Sequence, residues 1–152
     1  MSQYRSVLVG TDGSDSSLVA VERAAELARA SAAPLHVACA YRPLTGRALT
    51  EAVDRLGPEA HKVAGASPAD DTLREAEGHA RRAGADAVHT HAVEGDPGDV
   101  LAQLALEQEA DLVVVGNRGL NSLAGRLLGS VPADVAHRAG CDVLIVHTTS
   151  GR

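Results

Sequence analysis

Between Gly116 and Ser130 the chain reads Gly-Asn-Arg-Gly, nine residues, then Gly-Ser-Val-Pro, and this stretch directly follows the apolar run 112–115, Leu-Val-Val-Val. A short β-branched run that ends in glycine is how a buried parallel strand stops and opens into a loop. Ser130 is suited to cap a following helix, and Pro132 falls in its first turn, where a missing N–H costs little. Strand, glycine-punctuated loop and helix start together aim unpaired backbone N–H groups and the positive end of a helix dipole at one spot. The chemistry of such a spot is phosphate binding. Side chains at Gly116, Gly119 or Gly129 would hold an anion away from the backbone. The P-loop pattern, with its lysine, and the Gly-x-Gly-x-x-Gly dinucleotide pattern are both absent.

A second loop, 10–17, reads Gly-Thr-Asp-Gly-Ser-Asp-Ser-Ser. Asp12 is a candidate for contact with a ligand or with the ligand's metal ion, and Ser14 or Asp15 is the better helix cap. Ser14 and Ser16 lie near Asp12 and Asp15, but no strained Gly-x-Ser-x-Gly elbow makes either a nucleophile. The likeness to the Ser-Gly-Gly-x-Asp-Ser loop of ATP-pyrophosphatases is slight, because the double glycine is missing. Arg118 and Arg126 are available for phosphate or for solvent. His89 and His91, two apart, share one strand face, the spacing of two metal ligands, with no local carboxylate or cysteine to complete a set. They are expected to be solvated, and His36 and His147 to be packed or interfacial. No residue stands out as a general base.

Positioning these groups requires regular elements, and the sequence alternates strand and helix throughout. Strands are expected over 6–10, 35–41, 87–93, 112–115 and 143–147. Helices are expected from Leu18 (Val21, Ala25, Ala28), over 70–83 (Leu73, Ala76, Ala80), around Val100–Ala105 after Gly95-Asp96-Pro97, and over 131–139. The segment 42–69, with Pro43, Pro58 and Pro68, has no strong period and is expected to be a long excursion. The alternation predicts one α/β domain over residues 1–152 with a largely parallel five-stranded sheet and ligand-binding loops at the strand C-termini.

Composition narrows the function classes. Aromatics are 1% of the chain, Tyr4 and Tyr41 only, so the core must be Val, Leu and Ala and there are no stacking platforms for single-stranded nucleic acid. A net charge of −6 argues further against nucleic acid and anionic membranes. Cys39 and Cys141 form no Cys-x-x-Cys pair, and no signal peptide or apolar run of membrane-spanning length is evident. The expected location is cytoplasmic.

The glycine spacing Gly-x2-Gly-x9-Gly-Ser, the opening Val-Leu-Val-Gly-Thr-Asp-Gly-Ser (7–14), His36-Val37, Gly95-Asp96-Pro97 and the closing Asp142-Val-Leu-Ile-Val together resemble the nucleotide-binding branch of the universal stress proteins over nearly the whole chain. The resemblance implies sheet order 3-2-1-4-5 with helices on both faces, a Rossmann-like arrangement, and a homodimer through Val143–Val146. It also implies an adenine nucleotide, ATP or cyclic AMP or AMP, held between the first and fourth strands, with Mg²⁺ or Mn²⁺ accompanying ATP. Site residues implied are Gly10, Thr11 and Asp12 after the first strand, with Asp12 near any metal, and Val37 at the adenine edge. Gly116, Asn117, Arg118, Gly119, Gly129, Ser130 and Val131 would hold ribose and phosphates. Thr11-Asp12-Gly13 departs from the family where a proline often precedes the acidic segment. The expected role is a stress-response sensor or nucleotide buffer without dedicated catalysis; the alternatives are a slow metal-dependent ATP hydrolase and an interaction module tuned by nucleotide.

Overall fold

The architecture is taken from a computed structural model that describes residues 3–42, 54, 66–118 and 130–148. In chain order the elements are β1 (Val7–Gly10), α1 (Asp15–Ser31), β2 (Leu35–Tyr41), α2 (Ala66–Arg82), β3 (Val88–Glu94), α3 (Pro97–Glu107), β4 (Leu112–Gly116), α4 (Ser130–Arg138) and β5 (Asp142–Val146). The strands form one sheet in the order β3-β2-β1-β4-β5, every pairing parallel. This is the order the family resemblance implies.

Alternate residues of the strands feed two cores, as a sheet covered on both faces requires. Val7, Val9, Val37 and Val114 pack with α1 and α2 through Val21, Ala24, Ala28, Leu73 and Ala76. Leu8, Val113 and Val115 pack on the opposite face with Leu101 and Leu104 of α3 and Val135 of α4. With so few aromatics, alanine stripes bring the helices close to the sheet; Ala20, Ala24, Ala25 and Ala28 of α1 are all fully buried.

Helix ends follow local chemistry. Ser14 is the α1 N-cap and its hydroxyl accepts from Ser17 N at 3.2 Å. The helix closes at Ala32 in the left-handed region (φ 53), its N–H returning to the carbonyls of Ala28 and Arg29, so the stop precedes Pro34. Pro97 opens α3 at a position where its lost N–H is harmless. Strand bounds lie within about one residue of those expected, inside the usual scatter. The second helix differs: it starts at Ala66 rather than Asp70. Pro68 sits in its first turn, where proline is tolerated, so the helix takes over the last residues of the expected excursion. The rest of that excursion, apart from Arg42 and Asp54, lies outside the described residues. β3, expected to alternate, is an edge strand none of whose residues is fully buried.

Candidate functional site

Order β3-β2-β1-β4-β5 places the reversal of strand order between β1 and β4, and in such sheets the crevice beyond the strand C-termini at that point is the ligand site. The register Val7↔Leu112, Leu8↔Val113, Val9↔Val114 sets the two strand ends level. Gly10, Thr11 and Asp12 therefore leave β1 beside Gly116, Asn117 and Arg118 leaving β4. α4 begins at Ser130 and α1 at Asp15, so both helix N-termini lie at this end of the sheet.

The β1 loop is tightly built. Thr11, only 1% exposed, donates its backbone N–H to the Ala38 carbonyl at 2.9 Å, and its hydroxyl shares a hydrogen bond with Ser17 Oγ at 2.8 Å. Gly13 N donates to Thr11 Oγ1 at 3.1 Å, and Gly13 needs a positive φ of 85°, which explains the glycine. Asp12 Oδ1 accepts from Ser14 N at 2.9 Å, and Asp12 is itself exposed. One carboxylate oxygen thus fixes the turn, leaving the other open to a cation or a hydroxyl. Burial pushes the Cys39 thiol up to about 11, with Asp12 and Asp70 adding to it, so this nearby cysteine stays protonated and inert.

At the β4 loop, Asn117 ties the strand end to the segment after β5. Asn117 N donates to the Val146 carbonyl at 2.8 Å, and Asn117 Oδ1 accepts from Thr148 N at 2.8 Å and Thr148 Oγ1 at 2.9 Å. The Asn117 amide also meets His147 Nδ1 at 3.2 Å. Thr148 in turn shares a hydrogen bond with Ser16 of α1. Gly116 is packed so closely that a Cβ there would stand 3.1 Å from Thr148 Cγ2. Arg118 is exposed and Val131 is buried. Gly119, Gly129 and the Ser130 side chain lie outside the described residues, as does Arg126.

Val37 is placed differently from the others. It is fully buried in mid-strand, in register with Val9 on one side and Thr90 on the other. The part of β2 that reaches the crevice is its end. Ala38 turns its carbonyl to Thr11, and backbone groups two residues on point the same way. The N–H and C=O of Ala40 therefore face the space past Gly10, where the β1 ladder has ended. Thr148 and Ala40 escape a reading of the sequence because only the assembled sheet brings them beside the β1 and β4 ends.

Three carboxylates, Asp96, Asp99 and Asp134, have oxygens within 4.8 Å of one another. Arg138 Nη1 lies 2.6 Å from Asp99 and 2.9 Å from Asp134, and Arg42 lies 3.0 Å from Asp96. The cluster is an ion-pair network joining α3 to α4. A Cβ at Gly98 would collide with the Asp134 carboxylate, so a larger residue there would push that side chain aside.

A family model described as "Universal stress protein family" matches residues 3–147. Universal stress protein Rv1636 of Mycobacterium tuberculosis is 53% identical over 149 residues, spanning 98% of this chain and 100% of the relative. A solved universal stress protein in complex with cAMP is 49% identical with TM-score 0.75, covering 97% of this chain and 100% of that one. The Archaeoglobus fulgidus universal stress protein in complex with dAMP is 25% identical with TM-score 0.68, covering 95% and 98%.

Proposed function

The chain belongs to the universal stress protein family, and on that premise we propose that it is a cytoplasmic homodimer that binds an adenine nucleotide in the β1–β4 crevice. The observation that carries this reading is the convergence of Gly10–Thr11–Asp12 with Gly116–Asn117–Arg118 at the switch point, beside the N-terminus of α4. The two similar proteins solved with cAMP and with dAMP support the same ligand class.

In this reading the adenine edge meets the backbone of β2 at Ala40, the nearest open donor and acceptor, rather than at Val37. Asp12 addresses the ribose or a metal ion beside the phosphates. The phosphates lie on backbone N–H groups of the glycine loop, from Gly116 through Gly119 and Gly129 to Ser130 and Val131. Those donors serve a cyclic monophosphate as well as the inner phosphate of ATP. For outer phosphates the loop sequence offers Arg118 and Arg126 and no P-loop lysine, so ATP depends on Mg²⁺ or Mn²⁺ for charge neutralisation. Asp12 is the only carboxylate among Gly10–Asp12 and Gly116–Arg118, and its turn-forming hydrogen bond fits positioning better than proton abstraction. The protein acts as a sensor or buffer of nucleotide in the stress response.

Calorimetric titration with cyclic AMP, AMP, ATP with and without Mg²⁺, and GTP tests this. Cyclic AMP and ATP should bind, Mg²⁺ should strengthen ATP, and GTP should be rejected. Gly129→Val should abolish binding while far-ultraviolet circular dichroism is unchanged, since a β-branched side chain blocks the approach of phosphate to the backbone. Failure of every adenine nucleotide to bind would end this reading.

A further inference from the structure

Three of the seven histidines meet toward the other end of the sheet from Gly10 and Gly116. The register pairs His36 of β2 with His89 of β3, and Ala38 with His91, so all three imidazoles stand on the α3 face of these two strands. His36 Nδ1 lies 2.9 Å from His91 Nε2. The His36 ring stacks on His89 with centroids 5.1 Å apart, and its centroid is 5.2 Å from that of His91. His36 is only 8% exposed, whereas His91 is partly exposed and His89 open to solvent. Beside His36, a cavity of about 320 Å³ opens among Arg5, Ser6, Pro34, Gln108 and Glu109.

We propose that His36, His91 and His89 form a binding site for a divalent transition-metal ion of the zinc, copper or nickel class, separate from the nucleotide crevice. Imidazole nitrogen suits these ions, and carboxylate-only sites do not compete for them as well. In the metal-free state one proton bridges His36 Nδ1 and His91 Nε2. A metal takes that proton's place as the donor ring changes tautomer and carries its proton on the other ring nitrogen. The two facing nitrogens open from 2.9 Å to about 3.3 Å, the spacing that Zn–N bonds of about 2.0–2.1 Å give at a tetrahedral centre. That change of a few tenths of an ångström is within the reach of side-chain rotation. His89, exposed on an edge strand, turns from its stacked position to supply the third nitrogen, and water completes the coordination. Burial, with His91 and His89 next to it, pushes His36 down to about 4, and burial with His89 lowers His91, so both rings are neutral at neutral pH and each can offer one nitrogen to a metal. The nearby Glu107 carboxylate opposes the shift of His91 and adds negative charge facing the cation.

The experiment is a calorimetric titration of the chelator-stripped, nucleotide-free full chain with ZnCl₂, with Co²⁺ absorption as a second readout of tetrahedral coordination. The expected result is one ion per chain, with affinity reduced on the order of tenfold or more in each of His36→Gln, His91→Gln and His89→Gln. Asp12→Asn and Asp99→Asn should bind Zn²⁺ as the wild type does. If buried His36→Gln does not fold, the His89 and His91 variants on the edge strand decide. Unchanged affinity in folded His89→Gln and His91→Gln overturns the site, as does binding that is lost only in Asp99→Asn or is spread weakly over all the histidines.

Discussion

Ser14 and His36 show how differently single residues can be read. Ser14 is a local decision: the residue before a helical period whose hydroxyl reaches the N–H three residues on. Its role as cap was legible among Ser14, Asp15 and Asp12. Asp12 takes the companion task of bonding Ser14 N, which spacing alone does not separate from ligand contact. His36 is a non-local decision. Its place beside His89 and His91 depends on the β2–β3 register, which a single sequence does not carry, and two of the three were expected merely to be solvated. The cluster has a consequence for stability in chelator-containing, metal-free buffer. His36 has its pKa lowered from 6.5 to about 4 by burial and by the adjacent His91 and His89, and His91 is lowered too. Below the unfolded value the unfolded chain binds more protons than the folded one, so stability falls as pH drops from about 6.5 toward about 4 and is regained on raising it. Glu107, facing His91, moderates the loss. His36 alone contributes as much as about 3 kcal/mol across that window. Urea denaturation of wild type and His36→Leu at pH 7.5 and 5 should show a steeper decline in the wild type. Equal declines would mean that the imidazole is not held neutral by its burial.

Among elements, the strands were the most legible, because runs such as Leu112–Gly116 and Leu35–Tyr41 combine β-branched residues with flanking turn signals. α2 was less so, since Pro68 reads as a breaker unless its position in the first turn is known. β5 carries a consequence beyond the single chain. It is an edge strand of five residues, Asp142–Val146, whose Val143, Leu144 and Ile145 are only partly buried. Tyr4, Leu27, Leu112, Val143 and Leu144 border an open hollow of about 410 Å³ along this side. An apolar edge with a free hydrogen-bonding ladder invites a second strand. Two copies joining β5 to β5 about a two-fold axis would satisfy both. The opposite edge, β3, exposes His89 and Thr90 and is the poorer candidate. Multi-angle light scattering should give twice 15.6 kDa at micromolar concentration, and Ile145→Lys should halve the mass. A monomeric wild type would exclude the β5 pairing.

For the whole molecule, strand–helix alternation made the α/β class legible, whereas the sheet order rested on family resemblance. Periodicity marks which residues are strands and says nothing of which strand lies beside which. The crevice was foreseeable from its two glycine-bearing loops, but not the closure of Asn117 and Ser16 onto Thr148, which needs β4, β5 and α1 in place. The choice among adenine nucleotides is not written in the loop, because backbone N–H groups donate to any suitably placed phosphate oxygen. Occupancy of the β1–β4 crevice by such a ligand is tested most directly by ¹H–¹⁵N correlation spectra of the labelled protein titrated with cyclic AMP. A ligand there should give saturable shifts concentrated at Gly10–Asp12, Ala40, Gly116–Arg118 and Val131, with the amides of His36, His89 and His91 unmoved. Shifts absent from both strand ends, or concentrated at the histidine end of the sheet, would contradict it.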